Sequence, residues 1–187
     1  MKQIIVVLTF LTVNVFFAQK ECEYNSNITD SIGFYKSTKE YLVQEKIFGG
    51  SQNSIYFSLI NSDGLLSLNV QTIQKSHDFI PAKCFDKSSK IYFQLSNGKI
   101  ITLLSIGNES CGNAINNNGE NVRVLGNYFL FTKGSFEEIK SSPISLMRIK
   151  YSSETIDYVF KSELTSEIDK TTYYPENYFI NYLRCIE

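Results

Sequence analysis

The segment KIYFQLSNGKIITLLSI, residues 90–106, reads as two strands joined by a tight turn at Asn97-Gly98. Both residues of an Asn-Gly pair tolerate positive φ, so the pair between two apolar runs is the strongest short-range hairpin signal. A two-residue loop sets Leu95 opposite Ile100, Phe93 opposite Thr102 and Ile91 opposite Leu104. Tyr92, Ile101 and Leu103 then fall on the other face. A strand apolar on both sides belongs in the middle of a sheet with something packed on each face.

Working outward, Cys84 and Cys111 lie at equal distances from this turn, which makes them the first candidate disulfide. Residues 86–89 look like a break in the ladder between them. The other two cysteines, Cys22 and Cys185, sit near the chain ends. Four cysteines allow three connectivities. The preferred set is Cys84–Cys111 with Cys22–Cys185, the second bridge stapling the two ends of the domain. Zinc is the rival use of these thiols, but no two cysteines are close in sequence and His77 is the only histidine. No metal and no cofactor is therefore expected.

The disulfide reading rests on export. Residues 1–18 read as a signal peptide: Lys2 supplies the positive start, residues 4–17 are mostly apolar, and Ala18 is small enough to precede cleavage. The run is too short for a membrane span, and no stable span is expected once it is removed. A secreted, periplasmic or outer-envelope location follows, where cysteines pair. Residues 19–187 then form a single β-rich domain. Cleavage removes one cation, Lys2, and moves the formal net charge from −1 to −2. That balance gives no electrostatic case for nucleic acid or an anionic membrane surface.

The 14 Phe and 12 Tyr favour β-structure. Residues 41–48 read as a strand ended by Gly49-Gly50. Residues 54–61 and 65–73 read as a hairpin on Asp63-Gly64, with Leu59 opposite Leu68 and Phe57 opposite Val70. Residues 122–132 give a long strand feeding a short helix, with Thr132 or Ser135 as its cap. A last hairpin on Ser152-Ser153 sets Met147 opposite Tyr158 and Arg148 opposite Asp157. Residues 23–33 read as an extended polar lead-in, and residues 162–174 as irregular. Pro175 suits the first turn of a C-terminal helix, whose Phe179, Tyr182, Leu183 and Ile186 share a face. The sum is a mainly β fold: an antiparallel sandwich or curved sheet of about seven or eight strands, with a short helix before the last hairpin and a C-terminal helix. A closed, ligand-holding barrel of lipocalin type is the rival.

Candidate functional residues are few. Residues 107–121 read as a long loop in which Asn108, Glu109, Asn116, Asn118 and Glu120 offer oxygen ligands to a cation or polar ligand, at a spacing unlike the EF-hand pattern. His77, next to Asp78, is the one candidate general base, and no nucleophile motif accompanies it. Tyr178, Phe179 and Tyr182 form an aromatic stripe that packs on the core or grips a ligand. Asp30-Ser31-Ile32 matches a bacterial O-glycosylation motif, and Asn27 and Asn108 open N-glycosylation sequons.

The SNGKIITL hairpin, the Cys-containing Gly/Asn loop, and the stretches NYFLFTKGSFEEIKSSPI, SLMRIKY and YFINYLRC carry a further resemblance. Over residues 48–160, and more loosely to Cys185, the chain resembles a family of small exported bacterial proteins with no assigned function. The resemblance implies export and a β-rich fold, and assigns no catalytic residue. The reading is a non-catalytic binding or envelope-associated module, with a glycan or an envelope protein as its partner. The alternatives are a glycan- or small-ligand-binding domain of lipocalin or carbohydrate-binding-module type, and a hydrolase of unknown substrate.

Overall fold

The computed structural model describes residues 21–132 and 134–187. The signal-peptide reading falls on residues outside these. The elements in chain order are β1 (Tyr24–Thr29), β2 (Phe34–Thr38), β3 (Tyr41–Phe48), β4 (Ser51–Ser62), β5 (Leu65–Ser76), β6 (Lys90–Leu95), β7 (Ile100–Ser105), β8 (Asn113–Asn117) and β9 (Glu120–Phe131). Helix α1 (Ser135–Ser141), β10 (Ile144–Lys150), β11 (Thr155–Val159), β12 (Leu164–Thr165) and β13 (Thr172–Tyr173) follow. A 3-10 turn at Pro175–Asn177, helix α2 (Tyr178–Tyr182) and a 3-10 turn at Leu183–Ile186 close the chain. Among these residues no helix is long and apolar enough to cross a membrane.

Eleven strands make one antiparallel sheet, and β12 pairs with β13 apart from it. The order is β1-β2-β4-β5-β9-β7-β6-β10-β11, with two branches. One edge of β4 is shared by β2 and β3, and one edge of β9 by β7 and β8. This exceeds the seven or eight strands expected. Five strands are extra: β1 and β8 are mostly exposed, β2 is five residues long, and β12 and β13 are two residues each. Backbone pairing to a neighbour holds them, and side-chain pattern cannot report that.

The β4–β5 and β10–β11 hairpins have the expected registers, including Phe57 opposite Val70 and Met147 opposite Tyr158. The β6–β7 hairpin is shifted by one: Phe93 pairs with Ile101 and Ile91 with Leu103. Its loop has three residues, Ser96-Asn97-Gly98. The Leu95 carbonyl accepts from Gly98 N–H (2.9 Å), Leu95 N–H donates to Lys99 O (2.8 Å), and Gly98 takes φ 85°. That is a turn followed by a left-handed residue, the next commonest hairpin closure after the two-residue one. The shift buries Ile101 and Leu103, at 6% and 0% exposure, and leaves Ile100 65% exposed. The two-residue Asn-Gly turn occurs instead at Asn118-Gly119, with φ 51° and 85°. It makes a β8–β9 hairpin where a loop was expected over residues 107–121.

The sheet curls until strands far apart in its order touch. Phe57 on β4 and Phe93 on β6 are separated by β5, β9 and β7, yet their ring centroids are 5.9 Å apart. Phe179 of α2 fills the interior, 6.1 Å from Phe57, 5.2 Å from Phe93 and 5.9 Å from Phe131. Ile139 of α1 is fully buried beside them. The curl brings β11 against β3, where Gln44 Nε2 donates to Val159 O at 2.6 Å. A side chain makes this link, and no ladder joins the two strands among the described residues, so the sheet stays an open curl and not a closed barrel.

Helix α1 is not capped as expected. Gly134 precedes it in a left-handed conformation, and the Thr132 hydroxyl donates to Thr102 O (3.2 Å) across the sheet. Two disulfides staple the fold, Cys22–Cys185 and Cys84–Cys111. Beside the second, Phe85 and Ser110 form an isolated bridge, in a register one residue off that of β6–β7.

Candidate functional site

A cleft of about 490 Å³ opens where the N-terminal strands meet the C-terminal tail. Its wall is built from four tyrosines on three elements: Tyr41 at the start of β3, Tyr173 at the end of β13, and Tyr178 and Tyr182 on α2. Tyr41 is their hub, with ring centroids 5.0 Å from Tyr173, 5.2 Å from Tyr178 and 5.1 Å from Tyr182. Tyr178 and Tyr182, one helical turn apart, pack with centroids 5.4 Å apart and ring planes tilted by 41°.

Local chemistry fixes each ring. Tyr41 pairs with Phe57 in the β3–β4 ladder just before a bulge between Leu42 and Gln44, and Tyr41, Leu42 and Val43 are all buried. The Tyr41 hydroxyl accepts from Tyr174 N–H at 2.7 Å, pinning the tail to β3. The Tyr173 hydroxyl donates to Asp169 Oδ2 at 2.7 Å, and Asp169 Oδ1 accepts from Thr171 N–H at 2.8 Å. Pro175 then opens the helical tail, its fixed φ suited to a first turn. Asn61 Nδ2 donates to Ile186 O (2.6 Å) and Tyr24 Oη to Cys185 O (3.0 Å), so the tail is tied at both ends.

The rim is polar and mostly acidic: Glu21, Glu23 and Glu40, with Thr38, Thr171, Thr172 and Lys39. Lys39 is held by Glu23 at 2.8 Å. Burial pushes the phenol pKa up at Tyr41, Tyr173, Tyr178 and Tyr182, and at Tyr182 the rings of Tyr41 and the Glu23 carboxylate add to it. All four present neutral rings at physiological pH. The Tyr178 side chain is 1% exposed, and its hydroxyl has no hydrogen-bond partner among the described residues. The Thr38 hydroxyl lies beside it and accepts from Leu59 N–H at 2.9 Å. A buried hydroxyl left in that state at the floor of a cleft is a group that a ligand can satisfy.

The polar residues singled out from sequence lie elsewhere. Asn118 is a turn residue, Asn116 Nδ2 donates to Asn121 Oδ1 (2.8 Å), and Glu120 pairs with Asn117 across the hairpin. Asn108 and Glu109 are exposed on the separate segment between β7 and Cys111. Among the described residues no three His, Cys, Asp or Glu side chains cluster as a metal site would. His77 is exposed, and its Nδ1 lies 3.3 Å from Gly119 O. Arg148 and Asp157 form a two-pronged cross-strand pair, both contacts 2.6 Å. Arg148 lines a hollow of about 400 Å³ on β6 and β10, which offers sheet surface with Lys150 as its second cation.

Of the cleft, the sequence exposed only the helical pair. Tyr178 and Tyr182 share a face at helical spacing, whereas Tyr41 comes from β3 and Tyr173 from a two-residue strand. No family model, curated protein or solved structure matches the chain.

Proposed function

We propose that this chain is a non-catalytic, exported binding domain, and that the tyrosine-lined cleft is its ligand site. The observation that carries the reading is the floor of the cleft: four neutral tyrosines converge there, and among the described residues the buried Tyr178 hydroxyl has no hydrogen-bond partner. Concave sites that hold small ligands combine apolar walls with a few convergent polar groups. Export is supported by the two disulfides, which persist in oxidising compartments. Binding is favoured over hydrolysis because His77 meets a backbone carbonyl in an exposed loop, away from the cleft lining.

Two experiments test the two halves of this reading. Protein labelled with ¹³C in its tyrosine rings is titrated with a library of small amines, alcohols, acids and sugars. Ligands of the cleft shift the Tyr173 and Tyr182 ring signals; a library that leaves both signals in place overturns the binding reading. The mass of the protein from its own host reports export. The expected chain lacks its first 18 residues and gains four hydrogens on reduction, and an intact Met1 with four free thiols is the opposing result.

A further inference from the structure

The tyrosine cleft has a sign, and the sign selects a ligand. We infer that the cleft binds an organic ammonium ion, a protonated amine carried on a small molecule. The inference rests on the cleft being the ligand site. Among the described residues, three carboxylates, Glu21, Glu23 and Glu40, line it against one cation, Lys39, which Glu23 holds at 2.8 Å. The rim is thus net negative, and an anionic ligand would meet repulsion on entry. The faces of the tyrosine rings carry the negative end of the aromatic quadrupole and attract a cation that approaches them. At the floor, the Tyr178 oxygen has no hydrogen-bond partner among the described residues, in a side chain 1% exposed. An ammonium N–H donates to a phenol oxygen, so the charge that the rim and rings attract also satisfies this buried atom. A neutral ligand of the same shape gains the contact area and none of the charge-dependent part.

The test uses three probes with one four-carbon tail and three charges: butylammonium, butanol and butyrate. A neutral disaccharide, cellobiose, is the fourth. Each is titrated into the ¹³C-tyrosine protein at neutral pH. The expected result is that butylammonium shifts the Tyr173 and Tyr182 signals and binds at least about tenfold more tightly than butanol, the scale of a cation–π contact with a nearby carboxylate. Butyrate leaves the signals in place. Glu40→Gln, a change at an exposed side chain, weakens butylammonium several-fold and leaves butanol unchanged, and raising the salt concentration has the same effect. If butanol or cellobiose binds as tightly as butylammonium, the cleft is a ligand site of another class and the cation inference is overturned. If none of the four moves the tyrosine signals, the cation inference fails, and the binding reading fails with it only if the wider library is silent too.

Discussion

Replacing Cys22 and Cys185 together by alanine removes the cross-link that ties the first strand to the C-terminal tail. The bridge closes a sequence separation of 163 residues, and the Cys84–Cys111 bridge one of 27. If the cross-links act by restricting the unfolded chain, loop-closure entropy assigns about 5 kcal/mol to the first and about 3.5 kcal/mol to the second. The difference, about 1.6 kcal/mol, depends only on the ratio of the two loop lengths and is the firmer figure. Cys185 is 1% exposed while Cys111 is exposed, so alanine at Cys185 also loses packing, which widens the gap in the same direction. Against a total stability of about 5–15 kcal/mol, the first loss is a third or more of what holds the domain together. The tail keeps its hydrogen bonds from Asn61 and Tyr24, so the double variant retains a native-like fold. Urea unfolding of both double variants measures the two losses. The denaturant slope should rise more for the Cys22/Cys185 variant, because its unfolded chain regains the larger freedom. A Cys84/Cys111 variant that loses as much stability as the Cys22/Cys185 variant, or more, would refute the entropic account.

Three further outcomes follow from the packing. Phe57→Ala opens a hole where β4, β6, α2 and Phe160 meet and costs about 3–5 kcal/mol in urea unfolding; a loss under about 1 kcal/mol would mean the curled sheet does not converge on this ring. Folded-state pKa values raised by burial at Tyr41, Tyr173, Tyr178 and Tyr182 contribute stability that is complete below the unfolded tyrosine value, about 10, and is lost as pH rises through the folded ones. Phenolate absorbance of the native protein should therefore lag behind that of the urea-unfolded chain on alkaline titration, and coincident curves would count against the buried cluster. Gly98→Ala forces a side chain into φ 85° and costs about 1–2 kcal/mol, whereas Gly126→Ala, in β9 with 3.8 Å to its nearest neighbour, gains about 0.5 kcal/mol; calorimetric midpoints moving in the same direction would contradict the loop assignment.

The sequence by itself determined the elements whose side chains answer to a period. Two of its hairpins, on Asp63-Gly64 and Ser152-Ser153, could be registered residue by residue, because apolar alternation and turn chemistry agree there. The C-terminal helical face was legible for the same reason: Phe179, Leu183 and Ile186 lie at helical spacing and are buried. Only the tertiary structure decided the register on Asn97-Gly98. Two-residue and three-residue closures share that dipeptide, and what separates them is which of Ile100 and Ile101 the core accepts. Likewise β1, β8 and the β12–β13 ribbon exist because neighbouring backbones pair with them, a property no side-chain pattern encodes. The cleft belongs to this second class. Tyr41 and Tyr173 stand 132 positions apart and meet through a short ribbon and the curl of the whole sheet. Local propensity fixes a strand or a turn within a few residues, whereas a site made of distant side chains waits until the core has closed around them.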